Sequence, residues 1–268
     1  MVSAAMMVGC ALVPAYDASR SVGEVIRSLV SLWPEAGAVI VVDDGSRDDT
    51  AAEAERAGAR VVRHSTNRGK GAALRTGLRA AHEAGFDVAV TVDADGQHPP
   101  AEALALLRHP ASPGALVLGI RDLVKAGAPR PNQLSNRISN FFLSTFARTP
   151  FADTQCGLRR YPIAATLAAD GGADGYAFEA EIILRLLASG TPVIEAPIDV
   201  IYPPEEERIT HFHSVRDPAR IIGRVVATLF ETRYMTRAPR QVAVPSRPPR
   251  REPAPARVSL ADSAASQA

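Results

Sequence analysis

No stretch of the sequence approaches the about 20 consecutive apolar residues of a membrane-spanning helix; the best candidate, Ile221 to Phe230, is broken by Arg224. A signal peptide is not expected either, because Met1 to Cys10 carries no Lys or Arg and too short an apolar run. Cysteine is scarce. Cys10 and Cys156 belong to no CxxC pair, which suits a reduced cytosolic compartment and small buried hydrophobes. An excess of one charge is also missing: the formal net charge is +1, so no global field points to nucleic acid or an anionic membrane, and any basic site must be local. Neither G-x-x-x-x-G-K-[ST] nor G-x-G-x-x-G after the first strand occurs, which removes the main supports for ATPase and dehydrogenase readings. No repeat of fixed period is visible.

What is present is an ordinary globular composition over 268 residues, 46% hydrophobic and 22% charged, long enough for one large α/β domain or two small ones. Short apolar runs alternate with helical patterns, as in a mostly parallel sheet with crossover helices. Strands are expected at Val8–Val13, Val39–Val42, Arg60–Val62, Val88–Val92 and Ala115–Gly119. Helices are expected around Val22–Val30, Asp49–Ala57, Gly71–Ala84, from Pro99-Pro100, and over Asn132–Ala147, Phe178–Ser189 and Pro218–Phe230. The pattern implies one α/β/α domain over 1–235. Beyond it, 236–268 is rich in Pro, Arg, Ala and Ser and is expected to be a disordered tail.

Carboxylates gather at strand ends, where open α/β sheets place ligands. Asp43 and Asp44 follow an apolar strand in Val42-Asp43-Asp44-Gly45-Ser46. They could meet the donors of a nucleoside or serve as capping residues of a turn; both readings stand. Asp93-Ala94-Asp95 follows Val88–Val92, and Gln97 lies two residues on. At alternate extended positions Asp93, Asp95 and Gln97 would present oxygens to one site, as Mg²⁺ or Mn²⁺ requires when phosphate completes the shell. Asn67-Arg68-Gly69-Lys70-Gly71 precedes a helix and has the look of a phosphate cradle.

These segments, with Val13-Pro14-Ala15-Tyr16-Asp17, Asp153-Thr154-Gln155-Cys156-Gly157-Leu158-Arg159, Phe178-Glu179-Ala180-Glu181 and the stretch from Tyr202 to Asp217, keep one order along the chain. In that order the sequence resembles glycosyltransferase family 2, with its GT-A fold. It is most similar to the polyprenyl-phosphate sugar transferases, the branch of dolichol-phosphate mannosyltransferase and dolichyl-phosphate glucosyltransferase. The resemblance runs from about Val8 to Tyr234. It implies that Pro14, Ala15, Tyr16, Asp17, Asp43 and Asp44 line a nucleoside pocket, with Lys70 beside the donor. It implies that Asp93, Asp95 and Gln97 hold Mg²⁺ or Mn²⁺ against the diphosphate. Arg121 would then meet the acceptor phosphate, and Arg208 and His211 would close over the donor. Two departures from the branch are Pro131-Asn132-Gln133, where an arginine is common, and the lack of C-terminal membrane helices.

The implied reaction is inverting transfer of a hexose from a UDP- or GDP-sugar to a polyprenyl phosphate. The alternatives are a hydroxyl acceptor on a glycan or small molecule, or a sugar-nucleotide-binding module without catalysis. A hydroxyl needs a general base, and no glutamate-aspartate pair of that kind is evident; Glu181 is the best carboxylate, unless it faces solvent or pairs with Arg185. Arg121 could instead pair with Asp122. His211 and His213 lack further ligands at zinc spacing, and His64, His82 and His109 read as ordinary surface or packing residues. In 216–234, Arg216, Arg220 and Arg224 flank an apolar face of Ile221, Val225, Val226 and Leu229. That helix either docks on the domain or lies at the inner face of a cell membrane.

Overall fold

A computed structural model describes residues 7–33, 37–202 and 216–232. The proposed tail at 236–268 lies outside them. Seven strands form one sheet: β1 (Gly9–Ala15), β2 (Val39–Asp43), β3 (Arg60–Arg63), β4 (Val88–Thr91), β5 (Leu116–Arg121), β6 (Arg159–Pro162) and β7 (Val193–Ile198), in the order β3-β2-β1-β4-β6-β5-β7. All pairings are parallel except those of β6, which runs antiparallel to both β4 and β5. This is the mostly parallel α/β/α architecture expected, with one inverted strand.

Most strands are apolar on both faces because helices cover both. Alternation sends Cys10 and Leu12 of β1 into one core with Leu74, Leu78, Phe178 and Ile182, and sends Ala11 and Val13 into the other with Ile26, Leu29, Val41 and Leu106. The first core lies under α3 (Lys70–Glu83), α5 (Arg130–Ala147), α6 (Ile163–Ala168), α7 (Ala177–Ser189) and α8 (Arg216–Glu231). The second lies under α1 (Val22–Leu32), α2 (Thr50–Arg56) and α4 (Pro100–Leu107). Among the described residues no helix is long and apolar enough to cross a membrane.

The sequence pattern does not reveal β6, α6 or β7. β6 reads as polar because Arg159 and Arg160 open it, yet both are fully buried. Arg159 donates to the carbonyls of Cys156, Thr154 and Glu179 at 2.7–2.8 Å. Arg160 donates to His109, Ala111 and Ser112 carbonyls at 2.8–3.0 Å. Backbone carbonyls thus take the place of carboxylates and make two buried cations tolerable. The topology also positions the site. The chain builds β1, β2 and β3 outward, then returns to add β4 on the other side of β1. Ligands of open α/β sheets bind at such a switch point, beyond the carboxyl ends of the strands.

Candidate active site

A cavity of about 680 Å³ opens at that switch point, lined by Pro14, Ala15 and Tyr16 at the end of β1 and by Asp93, Asp95 and Gln97 after β4. Asp44, Lys70 and Arg121 also line it. Asp17 and Asp43 stand behind this wall. Asp17 adopts φ 47° and accepts the Arg47 amide at 2.8 Å, while Asp43 accepts the Ser46 amide at 3.0 Å.

The supposed phosphate cradle is already filled. Asp44, buried, accepts the amides of Arg68 and Gly69 at 3.0 and 2.7 Å, so these donors serve a carboxylate of the chain itself. His64 completes the clamp, with Nδ1 2.6 Å from Asp44 and Nε2 2.9 Å from Thr76 Oγ1. His64 is therefore not the ordinary surface or packing residue expected. Its partner Asp44 is 20 positions away, and no local pattern signals the pair.

Asp93, Asp95 and Gln97 do come together, but on a turn rather than an extended segment. Gly96 has φ 75°, and Asp95 Oδ1 accepts the Gln97 amide at 3.0 Å. The two carboxylates differ sharply. Lys70 Nζ lies 2.7 Å from Asp93 Oδ1 and 3.3 Å from Glu179 Oε1. Burial opposes the charge on Asp93, but Lys70 and then His98 outweigh it and hold the carboxyl well below its ordinary range. Burial, and next the charge of Asp93, push the Asp95 carboxyl up. Gly157 makes room for Asp93, since a Cβ there would lie 2.3 Å from Asp93 Oδ2.

Among the described residues no three His, Cys, Asp or Glu side chains surround one point. The oxygens of Asp93, Asp95 and Gln97 nevertheless suit a hard divalent cation whose remaining ligands come from a diphosphate. The raised carboxyl of Asp95, with no ion-pair partner among the described residues, fits a missing positive charge.

Arg121 ends β5 and binds Asp153 through two bonds, Nε to Oδ2 at 2.7 Å and Nη2 to Oδ1 at 3.1 Å. Asp122, the neighbour considered as its partner, instead caps the Lys125 amide at 3.0 Å. Asn136 Nδ2 also donates to Asp153, at 2.7 Å, and ties this end of the cavity to α5. Pro131 and Asn132, where the resembling branch often has an arginine, line the same wall.

Glu181 does not line the cavity. Its side chain is fully buried, accepting Arg185 Nε at 2.7 Å, Arg224 Nη2 at 2.5 Å, and the amides of Gly172 and Ala173. A carboxylate so buried and engaged presents no oxygen to the cavity, so the placement does not support a role as base. Glu179, two residues earlier, faces the cavity instead. Helix α8 docks on the domain, burying Val225 and Leu229, and sets Ile221, Ile222 and Val225 along the cavity. Arg208 and His211 lie outside the described residues.

The sequence model of Glycosyl transferase family 2 matches residues 10–164. The chain belongs to glycosyltransferase family 2. It is 33% identical over 203 residues to an uncharacterized protein of Methanocaldococcus jannaschii, covering 71% of this chain and 80% of that one. It is 29% identical to the UDP-N-acetylglucosamine–dolichyl-phosphate N-acetylglucosaminyltransferase of Methanococcus voltae, covering 71% and 84%. It is also 29% identical to the undecaprenyl-phosphate mannosyltransferase of Micrococcus luteus, covering 71% and 82%. The latter two relatives are polyprenyl-phosphate sugar transferases, the branch that the sequence resembles. Among solved structures, glucosyl-3-phosphoglycerate synthase of Mycobacterium tuberculosis bound to UDP superposes with a TM-score of 0.64 at 21% identity, covering 85% of this chain and 80% of that one. That likeness establishes the GT-A fold.

Proposed function

We propose that this glycosyltransferase moves a hexose from a UDP- or GDP-sugar to the phosphate of a polyprenyl lipid, using Mg²⁺ or Mn²⁺, and that residues 1–235 form the catalytic unit. The carrying observation is the composition of one cavity. The acidic turn with Lys70 lies along it, Arg121 lines it further round, and Leu123, Phe142, Ile221, Ile222 and Val225 give it an apolar wall. A diphosphate and cation suit the acidic turn, a phosphate suits the guanidinium, and an isoprenoid suits the wall.

In this reading Pro14, Ala15 and Tyr16 seat the nucleoside over the loop braced by Asp17 and Asp43. Asp93, Asp95 and Gln97 hold the cation; when bound, it supplies positive charge against the leaving diphosphate. Arg121, fixed by Asp153, orients the acceptor phosphate. One of its oxygens attacks the anomeric carbon from the face opposite the diphosphate. The new C–O bond forms as the old one breaks, and the nucleoside diphosphate leaves. A phosphate with a second pKa near ~6 is largely dianionic at neutral pH and needs no base. The burial of Glu181 in an ion-pair network supports this acceptor. The test is a screen of UDP- and GDP-hexoses with Mn²⁺ and a short-chain polyprenyl phosphate. A donor-dependent glycolipid is expected; no product with any donor, from protein that binds nucleotide, would rule the proposal out.

A further inference from the structure

Helix α5 walls the cavity with one face and leaves the other bare. Leu134, Ile138 and Phe141 are exposed, Phe141 by 66% and Leu134 by 57%. Arg130, Arg137 and Thr145 are exposed beside them. At about 3.6 residues per turn these six positions fall within a wedge of roughly 100°. The opposite face carries Asn132, Ser135, Ser139 and Leu143, which line the cavity. Every charge on α5 is positive: Arg130 and Arg137 lie in the helix, Arg148 follows as its C-cap, and no Asp or Glu occurs between them.

Three large apolar side chains in water and clustered guanidinium groups without carboxylates both cost free energy. One kind of surface relieves both, an anionic bilayer, where apolar groups enter the acyl boundary and arginines meet lipid phosphates. We propose that the outer face of α5 is a docking surface for an anionic phospholipid membrane. The charges disfavour the other candidates. A second copy related by a twofold axis would set arginine against arginine. The chain's own segment after Thr232 carries seven arginines against Glu252 and Asp262, so it repels this face and would itself be drawn to anionic lipid. The purpose of docking rests on the acceptor proposed above. The helix is about 10 Å across, so a bilayer on its outer face would sit one helix away from the Arg121–Asp153–Asn136 end of the cavity.

The experiment is co-sedimentation of the full chain with vesicles of phosphatidylcholine alone or with one third phosphatidylglycerol, both free of polyprenyl phosphate. Binding to the anionic vesicles is expected, weakening with salt, with little binding to the neutral ones. The pair Leu134→Ser and Phe141→Ser should lower the partition coefficient on the order of tenfold. The pair Arg130→Glu and Arg137→Glu should do so by more than about tenfold, since each cation near such a surface contributes about fivefold. Both pairs should still transfer sugar to a short, water-soluble polyprenyl phosphate at the normal rate. Unchanged partitioning in both pairs overturns the proposal. So does self-association in gel filtration that Phe141→Ser abolishes. No binding of the unsubstituted chain to the anionic vesicles, with transfer to the soluble acceptor intact, would remove the docking surface and spare the acceptor reading. Vesicle binding without any such transfer would do the reverse.

Discussion

Lys70 Nζ sits 2.7 Å from Asp93 Oδ1, and Asp95, two residues on, has no ion-pair partner among the described residues. One ammonium at the start of α3 thus splits a carboxylate pair into two unlike members. Asp93 is held ionised by a partner, whereas Asp95 carries the cost of its own burial and of its neighbour's charge. A divalent cation brought in with a diphosphate would relieve that cost.

The asymmetry has a measurable consequence in Asp95→Asn. A carboxyl whose pKa is raised by folding destabilises the fold once it is ionised. That cost is complete above the folded pKa and disappears as pH falls through it toward the unfolded value. Asp95→Asn should therefore stabilise the donor-free protein at pH 7 by about 1 kcal/mol, roughly 2–4 °C in Tm, with the gain shrinking toward acid. The same variant should lose transfer. A Tm below that of the unsubstituted protein at pH 7 would contradict the electrostatic account.

Lys70→Met should behave in the opposite sense. It leaves the buried Glu179 and the half-buried Asp93 without their cation, a loss of about 2 kcal/mol at neutral pH. Because folding lowers the Asp93 pKa, the stability this pair contributes is present above the unfolded carboxyl pKa and is lost as pH falls through the folded one. Thermal melts from pH 7 downward should show the variant and the parent converging. Equal Tm values at pH 7 would mean that the contact holds nothing.

Glu179 and Glu181 lie two residues apart and should separate activity from stability. Glu181→Ala leaves Arg185 and Arg224 with Glu231 alone, takes the acceptor from the Gly172 and Ala173 amides, and should cost about 3 kcal/mol, roughly 6–12 °C in Tm. Glu179→Gln, at the cavity, should chiefly lower kcat/KM with a small change in Tm. Melting curves and steady-state rates on both variants check this; a large kcat loss in folded Glu181→Ala at low temperature would return Glu181 to the reaction.

The sheet and most helices are legible because their residues follow simple periods: Val39–Val42 is one apolar run, and Val22, Ile26 and Leu29 recur at helical spacing. β6 escapes the same logic, since the carbonyls of Glu179 and of His109, Ala111 and Ser112 that help make Arg159 and Arg160 fit for burial come from segments distant in sequence. The acidic turn is legible in composition but not in shape, because Gly96 bends what alternation treats as extended. The Asn67–Gly71 loop misleads for a related reason. Free amides before a helix do invite an anion, and Asp44 is that anion.

Arg121→Ala should raise the apparent KM for polyprenyl phosphate far more than that for the sugar nucleotide. Arg121→Lys should rescue only partly, because lysine keeps the charge and loses the planar fork that grips Asp153. Parallel KM measurements for both substrates decide the matter; equal changes in the two constants would reduce Arg121 to a structural partner of Asp153.

The nature of the acceptor is tested most directly by comparing a polyprenyl phosphate with the polyprenol of the same chain length, under identical donor and Mn²⁺. With a cavity that offers Arg121 and commits Glu181 elsewhere, transfer to the phosphate and none to the alcohol is predicted. Efficient transfer to the polyprenol, or to a soluble sugar alcohol, would contradict the account and establish a hydroxyl acceptor.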